Sequence, residues 1–252
     1  MSISLLKNER KALILKQINI HTRVTFSDLS GLTHVSEDTI RRDLNEMAQE
    51  GSVIKVRGGA MISSYHPSAQ GTEVYAQNDK QVIARKTLKL LHDDMFILIG
   101  GGTTVRELIK MLPDTLKATF ITVNPFTAME LLEKPNLETI MIGGKMSKYS
   151  QMSIGGEVIQ SLSEIKADLC IFGTNAIDLK EGLSDSDWDT VQVKKAMIKA
   201  AEKTAVLTIS EKLNSTMRLK IADLRDISYL ITELSPKSPF LSPYTEGGVI
   251  LF

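Results

Sequence analysis

Apolar residues recur at helical spacing from Lys7 to Ile20, where Leu13, Ile14 and Ile18, with Leu6 one turn earlier, share a face. Thr25-Phe-Ser-Asp28 has the form of a capping box: the Thr25 hydroxyl takes a free backbone N–H and Asp28 answers from the third helical position. It predicts a short second helix from Phe26 to about Thr33, after which His34-Val35 leaves room only for a turn. Ser36 then caps a third helix that runs to about Glu50 and stops at Gly51, with Glu37 and Asp38 at its positive dipole end. Beyond Gly51 the period shortens, and Val53 to Arg57 and Ala60 to Ile62 predict two strands around a Gly58-Gly59 turn. From Ser63 to about Asn78 no apolar period survives, which predicts a linker.

From Lys80 onward helical and strand patterns alternate. Helices are expected over 81–91, 105–112, 125–132, 154–165 and 190–203, and strands over 95–99, 119–123, 139–142, 169–172, 205–209 and 229–232. Units of this length imply a mainly parallel sheet covered by helices. The expected architecture is an α+β winged helix-turn-helix domain in residues 1–62, a linker over 63–79, and an α/β domain with a mainly parallel sheet over 80–252.

The third helix has two chemically distinct sides. At 100° per residue Ile40, Leu44 and Met47 form its apolar face, and Asp38, Arg42, Asn45 and Gln49 fall opposite, flanked by Thr39 and Arg41. A surface of Arg, Asn and Gln carries the donors and acceptors that read base edges in the major groove, while Arg41 on the flank suits a phosphate. Lys55 and Arg57 stand beside the tip of the wing. In the second domain, ligands of parallel sheets bind beyond the carboxyl ends of strands. The residues there are Gly100 to Thr104, Asn124, Gly143-Gly144-Lys145, Gly173 to Asn175, and Ser210 to Lys212. Glycines let the backbone approach an anion, Thr103 and Thr104 sit at a helix N-terminus, and Lys145 and Lys212 add charge, so a small phosphorylated or carboxylated ligand is expected. Val105 breaks a dinucleotide fingerprint, and Met146 after Gly143-Gly144-Lys145 breaks a P-loop. Asp185 to Asp189 begins like a calcium loop but continues with Thr190 instead of glycine, and reads as an acidic cap for the next helix.

Composition narrows the classes further. The 252 residues carry 30 basic and 30 acidic side chains, one cysteine and four scattered histidines. No disulfide within the chain is available and no metal or cofactor is expected. No apolar run is long enough to span a bilayer, so a cytoplasmic protein that does not engage membranes is expected. Residues 1–62 hold nine basic against seven acidic residues. Glu37, Asp38, Asp43, Glu46 and Glu50 then offset much of Arg41, Arg42, Lys55 and Arg57, and few cations per subunit imply a homo-oligomer, dimer or tetramer, on DNA.

The run Val35-Ser-Glu-Asp-Thr-Ile-Arg-Arg-Asp-Leu44, followed by Lys55-Val-Arg-Gly-Gly-Ala60, resembles the DeoR family of bacterial transcription regulators, with Lys55-Val56 where arginine is common. The likeness extends through Glu73, Lys80 and Ile83-Ala84, then Gly102-Thr-Thr104, Thr122-Val-Asn124, Gly143-Gly144, Phe172-Gly173, Gly182-Leu-Ser184, Val193-Lys-Lys-Ala-Met197 and Ser210-Glu-Lys212. It implies that Ser36, Thr39, Arg41 and Arg42 lie on the DNA-reading helix and that Arg57 to Ala60, including Gly58 and Gly59, form the wing. It also implies a sensor fold like sugar-phosphate isomerases, with Gly101, Gly102, Thr103, Thr104, Asn124, Gly143, Gly144, Lys145, Lys194 and Lys212 as the effector-site candidates. The function implied is a repressor of carbohydrate genes, with operator double-stranded DNA and a phosphorylated sugar as partners and no catalytic residues. Gly100 and Ile209 replace acidic family residues. The competing expectation is a sugar-phosphate isomerase or deaminase with an accessory N-terminal domain, for which Asp178 and Asp185 are the available bases.

Overall fold

The computed structural model describes residues 6–21, 23–62 and 74–252, which fall into two compact units, 1–75 and 76–252. Most of the expected linker, 63–73, lies outside the described residues. The first unit runs α1 (Lys7–His21), β1 (Arg23–Thr25), α2 (Phe26–Thr33), α3 (Glu37–Gln49), β2 (Val53–Val56) and β3 (Gly59–Ile62). Thr25 and Asp28 form the capping box at α2, and the Ser36 hydroxyl accepts the Thr39 N–H at α3. The three strands make an antiparallel sheet in the order β1-β3-β2. Strand β1 is too short to show in the sequence pattern. It explains Gly59, where a Cβ would lie 1.9 Å from the Val24 carbonyl oxygen.

The buried stripe of α1 is Arg10, Ile14 and Ile18, not Leu6, which is 70% exposed. Arg10 enters the core because Asp43 of α3 meets it there: Nε donates to Oδ2 at 2.6 Å and Nη2 to Oδ1 at 3.2 Å. Ile14, Ile18, Phe26, Leu29, Ile40, Leu44 and Met47 pack around this bidentate pair.

The second unit contains α4 (Gln77–Thr87), β4 (Phe96–Ile99), α5 (Thr103–Met111), β5 (Ala118–Thr122), α6 (Pro125–Leu132) and β6 (Leu137–Met141). A short hairpin follows, β7 (Lys145–Met146) and β8 (Ser153–Ile154), then α7 (Gly156–Ser163) and β9 (Ala167–Gly173). The chain continues through β10 (Ala176–Asp178), β11 (Gly182–Asp185), α8 (Trp188–Lys199), β12 (Ala201–Leu207), β13 (Leu219–Ala222), β14 (Tyr229–Ile231), α9 (Ser242–Glu246) and β15 (Ile250–Leu251). The main sheet is wholly parallel, in the order β15-β14-β12-β9-β4-β5-β6. Strands β4 to β6 build outward on one side and β9 to β15 on the other, so the direction of winding reverses between β4 and β9. That reversal opens a crevice at the carboxyl ends of these two strands.

Two sequence expectations shift. The segment expected as one helix over 154–165 splits into β8 and α7, with Gly155 between them at φ 107°. The helix expected to reach 203 ends at Lys199, because Ala201 to Leu207 pairs with β9 along its whole length. The exposed Glu202 and Lys203 give the start of this central strand a helix-like polarity. The short strands β10, β11 and β13, which form a separate antiparallel sheet, are absent from the sequence reading.

The Arg10–Asp43 pair sets the first prediction. Asp43→Ala strands a buried guanidinium and is expected to lower the stability of this unit by about 3–5 kcal/mol, read as an earlier urea transition in the full chain.

Candidate DNA-reading surface and effector site

In α3 the core takes Ile40, Asp43, Leu44 and Met47, and Asp38, Arg41, Arg42, Asn45 and Gln49 are exposed. Arg41 does not swing free: its guanidinium lies 4.2 Å above the Phe26 ring, and Nη2 is 3.6 Å from Glu37. This stacking holds it flat beside the start of α2, in a position suited to a phosphate and not to a base edge. Asn45 accepts a short hydrogen bond from the Lys55 ammonium, which ties the wing to the helix. Ser36 and Thr39 use their hydroxyls on each other, at 3.0 Å, and on the helix cap. Arg57 and Gly58 are exposed at the wing tip, with Gly58 at φ 83° in the tight turn. Gly59 is buried against β1, so its part in the wing is to let the two strands approach.

The acidic residues of α3 divide by face. Asp43 pairs with Arg10, Glu46 with Lys7 at 2.7 Å and Lys11 at 2.9 Å, and Glu50 with Lys11 at 2.9 Å. These three carboxylates are answered by Lys7, Arg10 and Lys11 of α1. The sequence reading set them against the DNA-facing cations, and the geometry removes them from that balance. What remains beside Arg41, Arg42, Lys55 and Arg57 is Glu37 and Asp38.

The second site forms at the winding reversal. Gly100 begins the loop after β4 with its N–H donating to the Ile171 carbonyl of β9, and a Cβ there would lie 2.9 Å from that of Phe172. Gly102 caps α5 at φ 112° with no side-chain acceptor, so the N–H groups at Thr103 and Thr104 keep their capacity for an anion. Across the crevice the Lys212 ammonium donates to the Thr174 carbonyl at 3.0 Å. Lys194 of α8 pairs with Asp185 at 3.0 Å, and Asn175 donates to both oxygens of the same carboxylate.

Electrostatics single out the lysines. Burial pushes Lys212 down to about 7, the like charges of Lys80 and Lys194 push the same way, and Asp185 opposes them. Lys80, 6% exposed on α4, is lowered by burial to about 8 against the pull of Glu107 and Asp79. Lys212 thus carries its charge in a partly dehydrated space under the repulsion of Lys80 and Lys194, an environment an anionic ligand relieves. Burial works against ionisation of Asp185, but the charge and hydrogen bond of Lys194, with bonds from Ser186 and Asn175, hold it below the ordinary carboxylate range. Asp178 is held low by the backbone N–H groups of Glu181 and Lys180.

The sequence candidates fare unevenly in this arrangement. Gly101, Gly102, Thr103 and Thr104 follow β4 at the reversal, Lys194 lies 5.9 Å from the ring of Phe172 at the end of β9, and Lys212 feels the charge of Lys194. Asn124 lies beside Gly101 but spends its side chain on structure: Oδ1 accepts the Thr127 N–H and Nδ2 donates to the Gln151 carbonyl. Gly143, Gly144 and Lys145 are exposed at and after the end of β6, and the charges acting on Lys212 do not include Lys145. Lys80 is the residue missed as a site candidate. Its signal was a lysine on the buried face of α4, with Ile83, Ala84 and Thr87.

Comparison with known proteins agrees with both units. A family model described as the DeoR C terminal sensor domain matches residues 76–234, and one described as the DeoR-like helix-turn-helix domain matches 10–65. The chain is similar to the HTH-type transcriptional repressor GlcR of Bacillus subtilis (strain 168), 31% identical over 248 residues, spanning 97% of this chain and 95% of the relative. It is similar to the putative aga operon transcriptional repressor of Escherichia coli O157:H7, 28% identical over 247 residues, spanning 96% and 92%. The L-fucose operon activator of Haemophilus influenzae is 27% identical over 234 residues, spanning 90% and 92%.

The depressed lysines make stability depend on pH. Between pH 7 and 10 the unfolded chain still holds protons that the folded chain has released, so stability rises with pH across this window. In phosphate-free buffer, Lys212→Met is expected to raise the denaturation midpoint at pH 7 and to flatten its rise toward pH 9.

Proposed function

Because the chain belongs to the DeoR family, matched by its sensor-domain model over 76–234 and its helix-turn-helix model over 10–65, we propose that it is a repressor of a carbohydrate operon. In this reading a phosphorylated sugar binds the sensor unit and lowers operator affinity. The observations that support the effector class are that Lys212 feels the positive charges of both Lys80 and Lys194, and that α5 begins at the winding reversal without a side-chain cap. A dianionic phosphate satisfies both the ammonium charge and the N–H groups at the start of α5.

The same residues support binding without turnover. A base for isomerisation needs a carboxylate poised to take a proton near neutral pH. Asp185 is tied to Lys194 and Asn175, and Asp178 is occupied by backbone N–H groups, and both sit below the ordinary range. Gly100 and Ile209, at the strand ends nearest the lysines, carry no ionisable group.

On the DNA side, Arg42 and Asn45 read bases, while Arg41, Lys55 and Arg57 hold phosphates. One such unit covers a few base pairs, so a homo-oligomer, dimer or tetramer, on repeated half-sites supplies the length and charge an operator needs. Among the described residues no helix is long and apolar enough to cross a membrane, which is consistent with work on cytoplasmic DNA.

An operator selected from a random-sequence duplex library tests this reading. Arg42→Ala is expected to cost about 1–3 kcal/mol of affinity and to relax preference at one position of each half-site, measured by fluorescence anisotropy. Wild-type affinity and preference in that variant would remove Arg42 from the reading surface.

A further inference from the structure

The β7–β8 hairpin closes through a compact turn over residues 147–152. Ser147 organises it: its hydroxyl oxygen accepts the N–H groups of Tyr149 and Ser150, at 3.1 and 3.2 Å. Its carbonyl accepts the Gln151 N–H at 3.0 Å, and its own N–H donates to the Met152 carbonyl at 3.0 Å. The return strand is anchored just beyond β5, where the Ser153 N–H donates to the Val123 carbonyl at 2.8 Å. From this base the turn reaches two places. The Gln151 carbonyl accepts from Asn124 Nδ2 at 3.1 Å, and the same Nδ2 would lie 2.4 Å from a Cβ at Gly101, next to the Gly102 cap of α5. Two positions earlier, the Tyr149 hydroxyl lies 3.0 Å from the Ser186 hydroxyl and donates to Asp185 Oδ1 at 3.4 Å. Asp185 is the partner of Lys194. One short turn thus connects the glycine loop before α5 with the carboxylate–lysine pair of β11 and α8.

The turn also holds polar capacity that the fold does not use. Asp185 accepts from the Ser186 N–H at 2.7 Å, from Lys194 at 3.0 Å and from Asn175 at 3.2 and 3.3 Å, so the Tyr149 bond is the longest of the set. Between the two contact residues, Ser150 carries a buried hydroxyl oxygen with no hydrogen-bond partner among the described residues. Buried hydroxyls are paired as a rule, so this one asks for an explanation.

We propose that this turn is the part of the effector site that distinguishes one phosphorylated sugar from another, with Tyr149 and Ser150 as its specificity-determining residues. The proposal rests on the phosphorylated-sugar reading above. A phosphate group is common to that whole class, so the start of α5 and the lysines hold every member alike. Selection falls to polar groups that can pair with the sugar hydroxyls, because a group left unpaired by the wrong ligand penalises it. Asn124 and Asn175 are committed to Thr127, Gln151 and Asp185. The Tyr149 hydroxyl exchanges its long bond to Asp185 for a sugar hydroxyl. That movement opens the turn on Ser150, whose oxygen then gains the partner it lacks.

Isothermal titration calorimetry on the full chain tests the proposal, with inorganic phosphate, glucose 6-phosphate, galactose 6-phosphate and fructose 6-phosphate as probes. The wild type is expected to hold one sugar phosphate about 10-fold or more tighter than the others and than phosphate. Y149F and S150A are each expected to narrow that preference roughly 2- to 10-fold, the worth of one hydrogen bond. S150A removes an unpaired buried hydroxyl, so its urea midpoint is expected at or above the wild-type value, which a purely structural role would reverse. Should Y149F lower the midpoint, S150A decides alone. Folded variants that keep the wild-type preference overturn the proposal, and so does a wild type that holds no sugar phosphate more tightly than phosphate itself. A wild type that binds none of the four probes contradicts the phosphorylated-sugar reading, and the proposal falls with it.

Discussion

An ammonium group removed from water must find an anion or give up its proton, and the sensor unit is organised around three such groups. Lys80 comes from α4, Lys194 from α8 and Lys212 from the turn after β12, and the charges of the first two both act on Lys212. Asp185 neutralises Lys194, and Lys212 donates to the Thr174 carbonyl. Beside them lies the reversal of the sheet, where β4 and β9 end side by side and α5 begins without a side-chain cap. Apolar strands, glycines at the loop starts and buried lysines therefore form one device. The sheet fixes the crevice, the glycines keep it open, and the lysines set the charge of what can occupy it.

Charge is sorted in the reading unit by the opposite logic. Helix α1 answers Asp43, Glu46 and Glu50 of α3 through Lys7, Arg10 and Lys11, so fewer unpaired carboxylates compete with the exposed Arg42 and Asn45. Arg41 is fixed on Phe26, and Asn45 is bound to Lys55 of the wing. Such preorganisation lowers the ordering cost of docking on DNA, which matters for a unit whose net charge supplies little non-specific attraction.

Much of this was legible in the sequence where local chemistry decides structure. The capping box at Thr25, the cap at Ser36 and the Gly58 turn are set by residues within four positions of one another, and α2 and α3 follow from them. Strand–helix alternation also gave the parallel sheet, since a buried strand and a helix differ in length and period. Long-range pairing hid the rest. Arg10 and Asp43 read as surface residues of two helices until packing brings them together across 33 positions. Strands β10, β11 and β13 carry no strong apolar period because they form a small side sheet. Lys80 shares one helical face with Ile83, Ala84 and Thr87, and it is the packing of that face that buries its charge. Lys145, by contrast, follows a glycine pair that resembles an anion loop, yet it stays on the exposed hairpin.

The account joins these parts by linkage: an effector moves the operator equilibrium only if it binds the DNA-free and DNA-bound states with different affinity, and the DNA must then change the effector's affinity by the same factor. The most direct test is to titrate the selected operator at several fixed concentrations of a phosphorylated sugar that binds the protein, and to titrate that sugar with and without saturating operator. The account predicts that the sugar weakens operator binding and that the operator weakens sugar binding by an equal factor, roughly 5- to 150-fold. An operator affinity that stays constant while the sugar saturates its site would contradict it.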